Sequence, residues 1–105
     1  MNRSEVWLCD FGSPIGHEPA YRRPAVVISH DQLNRHGIVI VLPVTRTRRG
    51  YPTHVELDGA LPVVSYVQCE LVRAVSAERL VRKVGDLDMV DQTAIDTIVR
   101  RLLAL

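Results

Sequence analysis

Two short runs of β-branched residues constrain the fold of this chain more than any other feature. They are PAVVISH, residues 24–30, and IVIVLPV, residues 38–44. Both runs are too short for buried helices, whereas β-branched side chains pack well in strands. They are therefore predicted to be central strands of a sheet. DQLNRHG, residues 31–37, lies between them and suits a helical turn.

Strand patterns continue on both sides of this pair. EVWLCDF, residues 5–11, alternates polar and apolar residues, as does THVEL, residues 53–57. VVSYVQC and ELVRAV, residues 63–69 and 70–75, are also rich in strand-forming types. The turn-rich stretches TRTRRGYP and DGALP separate the strands. Five or more strands in one sheet system are expected.

The C-terminus departs from the β pattern. Asp88 is a good N-cap, and apolar residues then recur on one helical face: Val90, Ala94, Ile98 and Leu102, with Ile95 and Val99 beside them. This spacing predicts an amphipathic helix of about 16 residues. SAERLVRK, residues 76–83, suits a shorter helix before it.

These elements predict a mainly β protein of the α+β class, with a small, strongly bent sheet or barrel and a C-terminal helix. At 105 residues and 47% apolar content, the chain has room for one domain, residues 1–105. No apolar run approaches the roughly 20 residues that span a bilayer. Since Met1 leads almost directly into a strand-like segment, we expect a cytoplasmic protein without membrane contact.

The cysteines and most histidines give no sign of a metal site. Cys9 and Cys69 lie inside apolar segments without the spacing of tetrahedral ligands, so buried free thiols are expected. His30, His36 and His54 have no mutual spacing that suggests a metal, and surface or strand-edge positions are expected for them. We predict no metal and no other cofactor.

Positive charge is concentrated in the middle of the chain, although the net charge is only +1. Residues 20–55 contain six arginines against one acid, Asp31. Arg22 and Arg23 stand at the entrance of a predicted strand. Since the planar guanidinium suits bidentate contact with phosphate, they are either a solvated strand end or a site for an anion.

Several separated motifs occur in a characteristic order: EVWLCDF, GHEPAYRRPAVVIS, LPVTRTRRGYPTHVEL, YVQCELVRAVSAERL and the final helix. Together they resemble the MazF/PemK family of toxins from type II toxin-antitoxin systems over almost the whole chain. The resemblance implies an SH3-like β-barrel that forms a homodimer. It also implies metal-independent, sequence-specific cleavage of single-stranded RNA and inhibition by an antitoxin with an extended acidic tail.

The functional positions of the family fall on six residues here: Glu18, Arg23, Pro24, Thr45, Glu70 and Arg73. RNA can be cleaved by attack of its own 2′-hydroxyl, which leaves a 2′,3′-cyclic phosphate and a 5′-hydroxyl. The protein then supplies a cation, a base and an acid. Arg23 is the expected phosphate clamp, and Thr45 the expected hydrogen-bond donor. Glu18 is either the base, an RNA-reading group or a solvated loop residue.

The chain departs from the family in the loop before Arg23 and after Glu70. His17, Pro19 and Tyr21 replace serine, glutamine and glycine, and Leu71 replaces glutamine. His17 is a second candidate for proton transfer, because an imidazole side chain is a common general acid or base, with an exposed loop histidine as the alternative. Tyr21 in place of glycine is expected to exclude a conformation that only glycine tolerates well, and so to change the loop path and with it the base preference.

RNA binding is assigned to five residues: Tyr21, Arg22, Arg46, Arg48 and Arg49. Tyr21 offers a stacking plane, and the arginines offer phosphate contacts, with solvated edge protection as the alternative for the three after Thr45. A CcdB-like gyrase inhibitor is the competing function, because related toxins with this barrel bind DNA gyrase without cleaving RNA. Those relatives lack the pairing of Arg-Pro with threonine.

Overall fold

The computed structural model describes residues 1–105 and contains seven strands and two α-helices. In chain order these are β1 Glu5–Asp10, β2 Arg22–Val27, α1 Asp31–Arg35, β3 Ile38–Thr45, β4 His54–Leu57, β5 Ser65–Gln68, β6 Arg73–Ser76, β7 Leu80–Asp86 and α2 Met89–Leu103. Short 3₁₀ turns cover Cys69–Leu71 and Ala77–Arg79. The predicted α+β class is confirmed.

The sheet is antiparallel throughout and bends around β3. Its strand order is β4-β5-β3-β2-β1-β7, and β6 also pairs with β3. Ile38–Val41 pair with β6, whereas Val44 and Thr45 pair with β5. β5 and β6 therefore lie beside successive parts of β3, like one strand interrupted by the 3₁₀ turn at Cys69–Leu71.

Both faces of the central strands are buried. In β2, Val26 belongs to a first apolar cluster that also contains Ile95 of α2. Its neighbours Ala25 and Val27 belong to a second cluster with Val39. Since side chains alternate between the faces of a strand, two buried faces explain the unbroken apolar runs, and the prediction of two central strands is confirmed.

The predicted helix over residues 76–83 is wrong. Only Ala77–Arg79 form a 3₁₀ turn, and Leu80 begins β7, which pairs with β1. The side chain of Leu80 is buried in the second cluster. Burial of this side chain and a ladder of hydrogen bonds to β1 stabilise the strand against the weak local helix preference.

A close backbone contact joins β7 to the connection between β4 and β5. A Cβ atom at Gly85 would lie 2.5 Å from the backbone oxygen of Ala60, and only glycine allows this approach. Leu61 packs beside it. The connection that follows β4 is therefore packed against β7, which lies at the other end of the sheet order.

The C-terminal helix begins as predicted, but its buried face is narrower. The Asp88 carboxylate caps α2 by accepting a hydrogen bond from the backbone N–H of Asp91 at 2.8 Å. Ile95 is fully buried, whereas Val90 is 78% exposed and Leu102 is 41% exposed. The predicted apolar stripe therefore contacts the core only at its centre. No helix combines the length and apolarity needed to cross a membrane.

Both cysteines are buried and free, as predicted. Burial raises the pKa of the Cys9 thiol to about 11 and that of Cys69 to about 12. Both thiols are therefore protonated at neutral pH and act as small core side chains.

Candidate active site

A groove with a volume of about 920 Å³ opens where β2 begins and β3 ends. Leu61–Val63 bound it on one side, and Arg82–Val84 of β7 bound it on another. Five of its lining residues are basic: Arg22, Arg23, Arg46, Arg82 and Lys83. None of the lining residues is acidic. This charge distribution favours an anionic ligand.

Arg23 is a half-buried cation without an acidic partner. Its Nη1 donates a hydrogen bond to Gln68 Oε1 at 3.3 Å, and no carboxylate forms an ion pair with it. Burial lowers the pKa of the Arg23 guanidinium, and the charge of nearby Arg49 lowers it further. A bound phosphate would offset both effects, because its negative charge would stabilise the charged guanidinium.

Thr45 ends β3 beside Arg23. Ala25 pairs with Pro43, so Arg23 and Thr45 lie just beyond the paired stretch of β2 and β3, where both line the groove. The Thr45 side chain lines the groove although the residue is only 8% exposed. Its Oγ1 accepts a hydrogen bond from the backbone N–H of Thr47 at 3.2 Å, which leaves its own hydroxyl proton available to a ligand.

The predicted RNA-binding residues divide into two sets. Tyr21, Arg22 and Arg46 line the groove with Arg23 and Thr45. Arg48 and Arg49 are exposed and do not line it, although Arg49 lies close enough to lower the pKa of Arg23. The structure thus brings together part of the predicted arginine cluster and leaves the rest on the surface.

His17 and Glu18 lie on the exposed loop before β2 and do not line the groove. Glu18 Oε1 accepts a hydrogen bond from the backbone N–H of Ile15 at 2.9 Å, so its carboxylate stabilises the loop itself. The assignment of proton transfer to either residue stays a prediction.

His54 of β4 and Glu70 of the 3₁₀ turn after β5 form a pair. His54 Nε2 lies 2.9 Å from Glu70 Oε2, and the Thr53 hydroxyl donates to Glu70 Oε1 at 2.9 Å. Burial alone raises the pKa of Glu70, but hydrogen bonds from His54, its own backbone and Thr53 hold it below its usual value. His54 lies on the edge strand β4 as predicted, but its side chain is only 3% exposed because this pair draws it inward.

Known proteins match the chain over its full length. The profile of the PemK-like, MazF-like toxins of type II toxin-antitoxin systems matches residues 2–103. The chain belongs to this family. The endoribonuclease MazF9 of Mycobacterium tuberculosis is 32% identical over 115 residues, covering 100% of this chain and 98% of the relative. The endoribonuclease EndoA of Bacillus subtilis is 29% identical over 111 residues, covering 100% and 96%.

Solved structures of toxins in this family have the same fold. MazF from Deinococcus radiodurans superposes with a TM-score of 0.91 at 25% identity, covering 100% of this chain and 97% of that one. A mycobacterial endoribonuclease in complex with its cognate antitoxin superposes with a TM-score of 0.84 at 25% identity, covering 100% and 96%. The predicted family resemblance is confirmed.

Tyr21 adopts the conformation that we expected it to exclude. Its φ is +53°, in the left-handed region. Two backbone hydrogen bonds impose this conformation: Tyr21 N–H donates to Gly12 O at 2.7 Å, and Phe11 N–H donates to Tyr21 O at 2.8 Å. The toxin therefore keeps a glycine-like loop path and holds an aromatic ring, in a residue that is 66% exposed, at the groove.

Tyr21→Gly is expected to raise the free energy of unfolding by about 0.5–1 kcal/mol, because it removes left-handed strain and adds a smaller entropic cost. Tyr21→Ala is the matched control, since it removes the ring but keeps the strain. Both variants are expected to lose stacking energy of about 1–3 kcal/mol with RNA. Urea unfolding and RNA-binding titrations measure the two effects. If Tyr21→Gly were less stable than Tyr21→Ala, the backbone would not be strained.

The sequence patterns did not identify three residues near Arg23 as part of the site or its support. Arg82 and Lys83 were assigned to a helix, but β7 brings them to the groove. Lys83 is paired with Glu5 and Asp86, whereas Arg82 has no acidic partner. Gln68 lies beneath Arg23, and a polar residue ending an apolar strand was the signal that could have identified it.

Proposed function

We propose that this toxin is an endoribonuclease that cleaves single-stranded RNA in the groove. This proposal rests on two residues that line the same groove, which has no acidic lining residue. The Arg23 guanidinium has no acidic partner, and the Thr45 hydroxyl proton is free to be donated. The similarity to proteins named endoribonucleases supports the same activity. The family match favours a nuclease over the gyrase-binding alternative.

The proposed reaction uses the RNA's own 2′-hydroxyl as nucleophile. Its oxygen attacks the adjacent phosphorus while the bond from phosphorus to the 5′-oxygen breaks. The 2′-proton passes to a base, and the leaving 5′-oxygen takes a proton from an acid. Arg23 stabilises the charge that builds on the phosphoryl oxygens, and Thr45 donates a hydrogen bond to one of them.

Proton transfer falls to the loop before β2 in this proposal. The groove lining contains no carboxylate and no imidazole, whereas Glu18 and His17 precede Tyr21 on that loop. A strand of RNA that extends past Tyr21 would meet both side chains. The lining cations suit any phosphate and Tyr21 suits any base, so these residues do not distinguish one base from another. We therefore assign sequence preference to the rest of this loop as well.

Cleavage of single-stranded RNA in the presence of EDTA tests this function. The products are expected to carry a 2′,3′-cyclic phosphate and a 5′-hydroxyl, and mapping 5′-hydroxyl ends on total RNA would reveal the preferred sequence. The reaction is expected to need no metal, because no three His, Cys, Asp or Glu side chains are grouped to hold one. A preparation that leaves diverse RNA intact and instead traps gyrase on DNA would replace this proposal with the gyrase alternative.

The proposed assembly is a cytoplasmic homodimer of one-domain chains, residues 1–105, neutralised by an antitoxin. A mycobacterial endoribonuclease has been solved in complex with its cognate antitoxin, and MazF of Deinococcus radiodurans has been solved with MazE. An extended acidic tail suits the basic groove, because its carboxylates would occupy the cations that hold RNA phosphates. Binding of such a peptide is expected to weaken as salt rises.

A further inference from the structure

Gln68 is the only side chain that hydrogen-bonds to the Arg23 guanidinium. It ends β5, is 8% exposed and does not line the groove. A ligand in the groove would therefore contact Arg23 and not Gln68. The role available to Gln68 is to hold the arginine from behind.

The amide is chemically suited to hold a cation that must stay available. Gln68 Oε1 accepts one of the five N–H donors of the guanidinium, which leaves four for phosphate oxygens. A carboxylate at the same place would pair with Arg23 through a charge-assisted bond and compete with the phosphate. An apolar side chain would leave the guanidinium free to rotate.

The support beneath Gln68 is itself ordered. Gln68 pairs with His54 across β4 and β5, so the two side chains lie on the same face. The His54 ring is held by Glu70, and Cys69 N–H donates to Thr53 O at 3.2 Å. Strand pairing and this polar pair fix the backbone from which Gln68 reaches Arg23.

We propose that Gln68 is a positioning residue that orients Arg23 toward the scissile phosphate through a neutral hydrogen bond. This inference rests on the proposed ribonuclease function. It assigns a task to a buried residue that does not touch the RNA, and it explains why the half-buried arginine has an amide and not a carboxylate beside it.

Two substitutions of similar shape separate orientation from charge. Gln68→Met removes the acceptor and is expected to lower kcat about 10- to 100-fold with KM nearly unchanged. RNA still binds in this variant, but the Arg23 guanidinium is misplaced relative to the scissile phosphate. Gln68→Glu adds a carboxylate beside Arg23 and is expected to weaken RNA binding as well.

Salt dependence gives a second readout on uncleavable 2′-O-methyl RNA. Gln68→Glu is expected to make the slope of log K against log salt shallower by about 0.7, because one phosphate contact is lost. Gln68→Met is expected to keep the wild-type slope, since Arg23 keeps its charge. Unfolding curves check that both variants fold. If only one of them folds, the result from that variant alone still tests the proposal.

The proposal is overturned if Gln68→Met keeps the wild-type kcat, or if Gln68→Glu keeps the wild-type salt slope. It is also overturned if Gln68→Met raises KM without changing kcat, because Gln68 would then serve binding alone. A wild-type protein that cuts no RNA would refute the ribonuclease function. The salt slopes would still show whether Gln68→Glu neutralises Arg23.

Discussion

Arg23→Ala is expected to lower the turnover of RNA cleavage about 10²–10³-fold while weakening RNA binding much less. The guanidinium is half-buried, unpaired and held by Gln68, so it meets negative charge only when RNA is bound. That charge grows on the phosphoryl oxygens in the transition state, where the loss of a fixed cation is felt most. Single-turnover cleavage gives the rate, and titration with 2′-O-methyl RNA gives the affinity.

Arg48→Ala is the matched control for this experiment. Arg48 is exposed and lies outside the groove, so any contact it makes serves phosphate positioning. Its loss is expected to lower affinity for all sequences and to make the salt slope shallower, with the cleavage step nearly intact. If Arg23→Ala and Arg48→Ala changed rate and affinity in the same proportions, Arg23 would have no special part in the chemistry.

Ile95→Ala is expected to lower the free energy of unfolding by about 2–5 kcal/mol. Ile95 is the fully buried residue of α2 and packs into the first apolar cluster with Val26 and Leu42. The truncation removes buried methyl groups and leaves a cavity that the surrounding strands only partly fill. Urea unfolding at one fixed protein concentration measures the loss, since the stability of the proposed homodimer would depend on concentration.

Val90→Ala on the same helix provides the comparison. Val90 is 78% exposed, so its truncation is expected to change the free energy of unfolding by no more than about 0.5 kcal/mol. A large loss for Val90→Ala would show that this end of α2 is buried in the proposed homodimer. A small loss for Ile95→Ala would mean that α2 contributes little to the core.

The sequence was sufficient where structure depends on neighbouring residues. Residues 24–27 and 38–44 of the two β-branched runs lie in strands with two buried faces, because alternation between faces and β-branched side chains are properties of the local chain. The cap at Asp88 is equally local. Arg23 and Thr45 were placed at the start of one strand and the end of another, and adjacent antiparallel strands bring such ends together.

Tertiary contacts decided what local preference left open. Pairing with β1 and burial of Leu80 turned residues 80–86 into a strand and carried Arg82 to the groove. Two backbone hydrogen bonds to residues across the loop held Tyr21 in a left-handed conformation that its side chain disfavours.

The same holds for the surroundings of the candidate catalytic residue. Gln68 lies 45 positions from Arg23 in the chain, and only the sheet order places β5 close enough for their hydrogen bond. The sequence by itself determined that β2 and β3 are strands and that Arg23 and Thr45 lie at the start of one and the end of the other. The tertiary structure decided which partners those side chains meet, because strand pairing over long distances depends on burial summed over the whole sheet and not on any one segment.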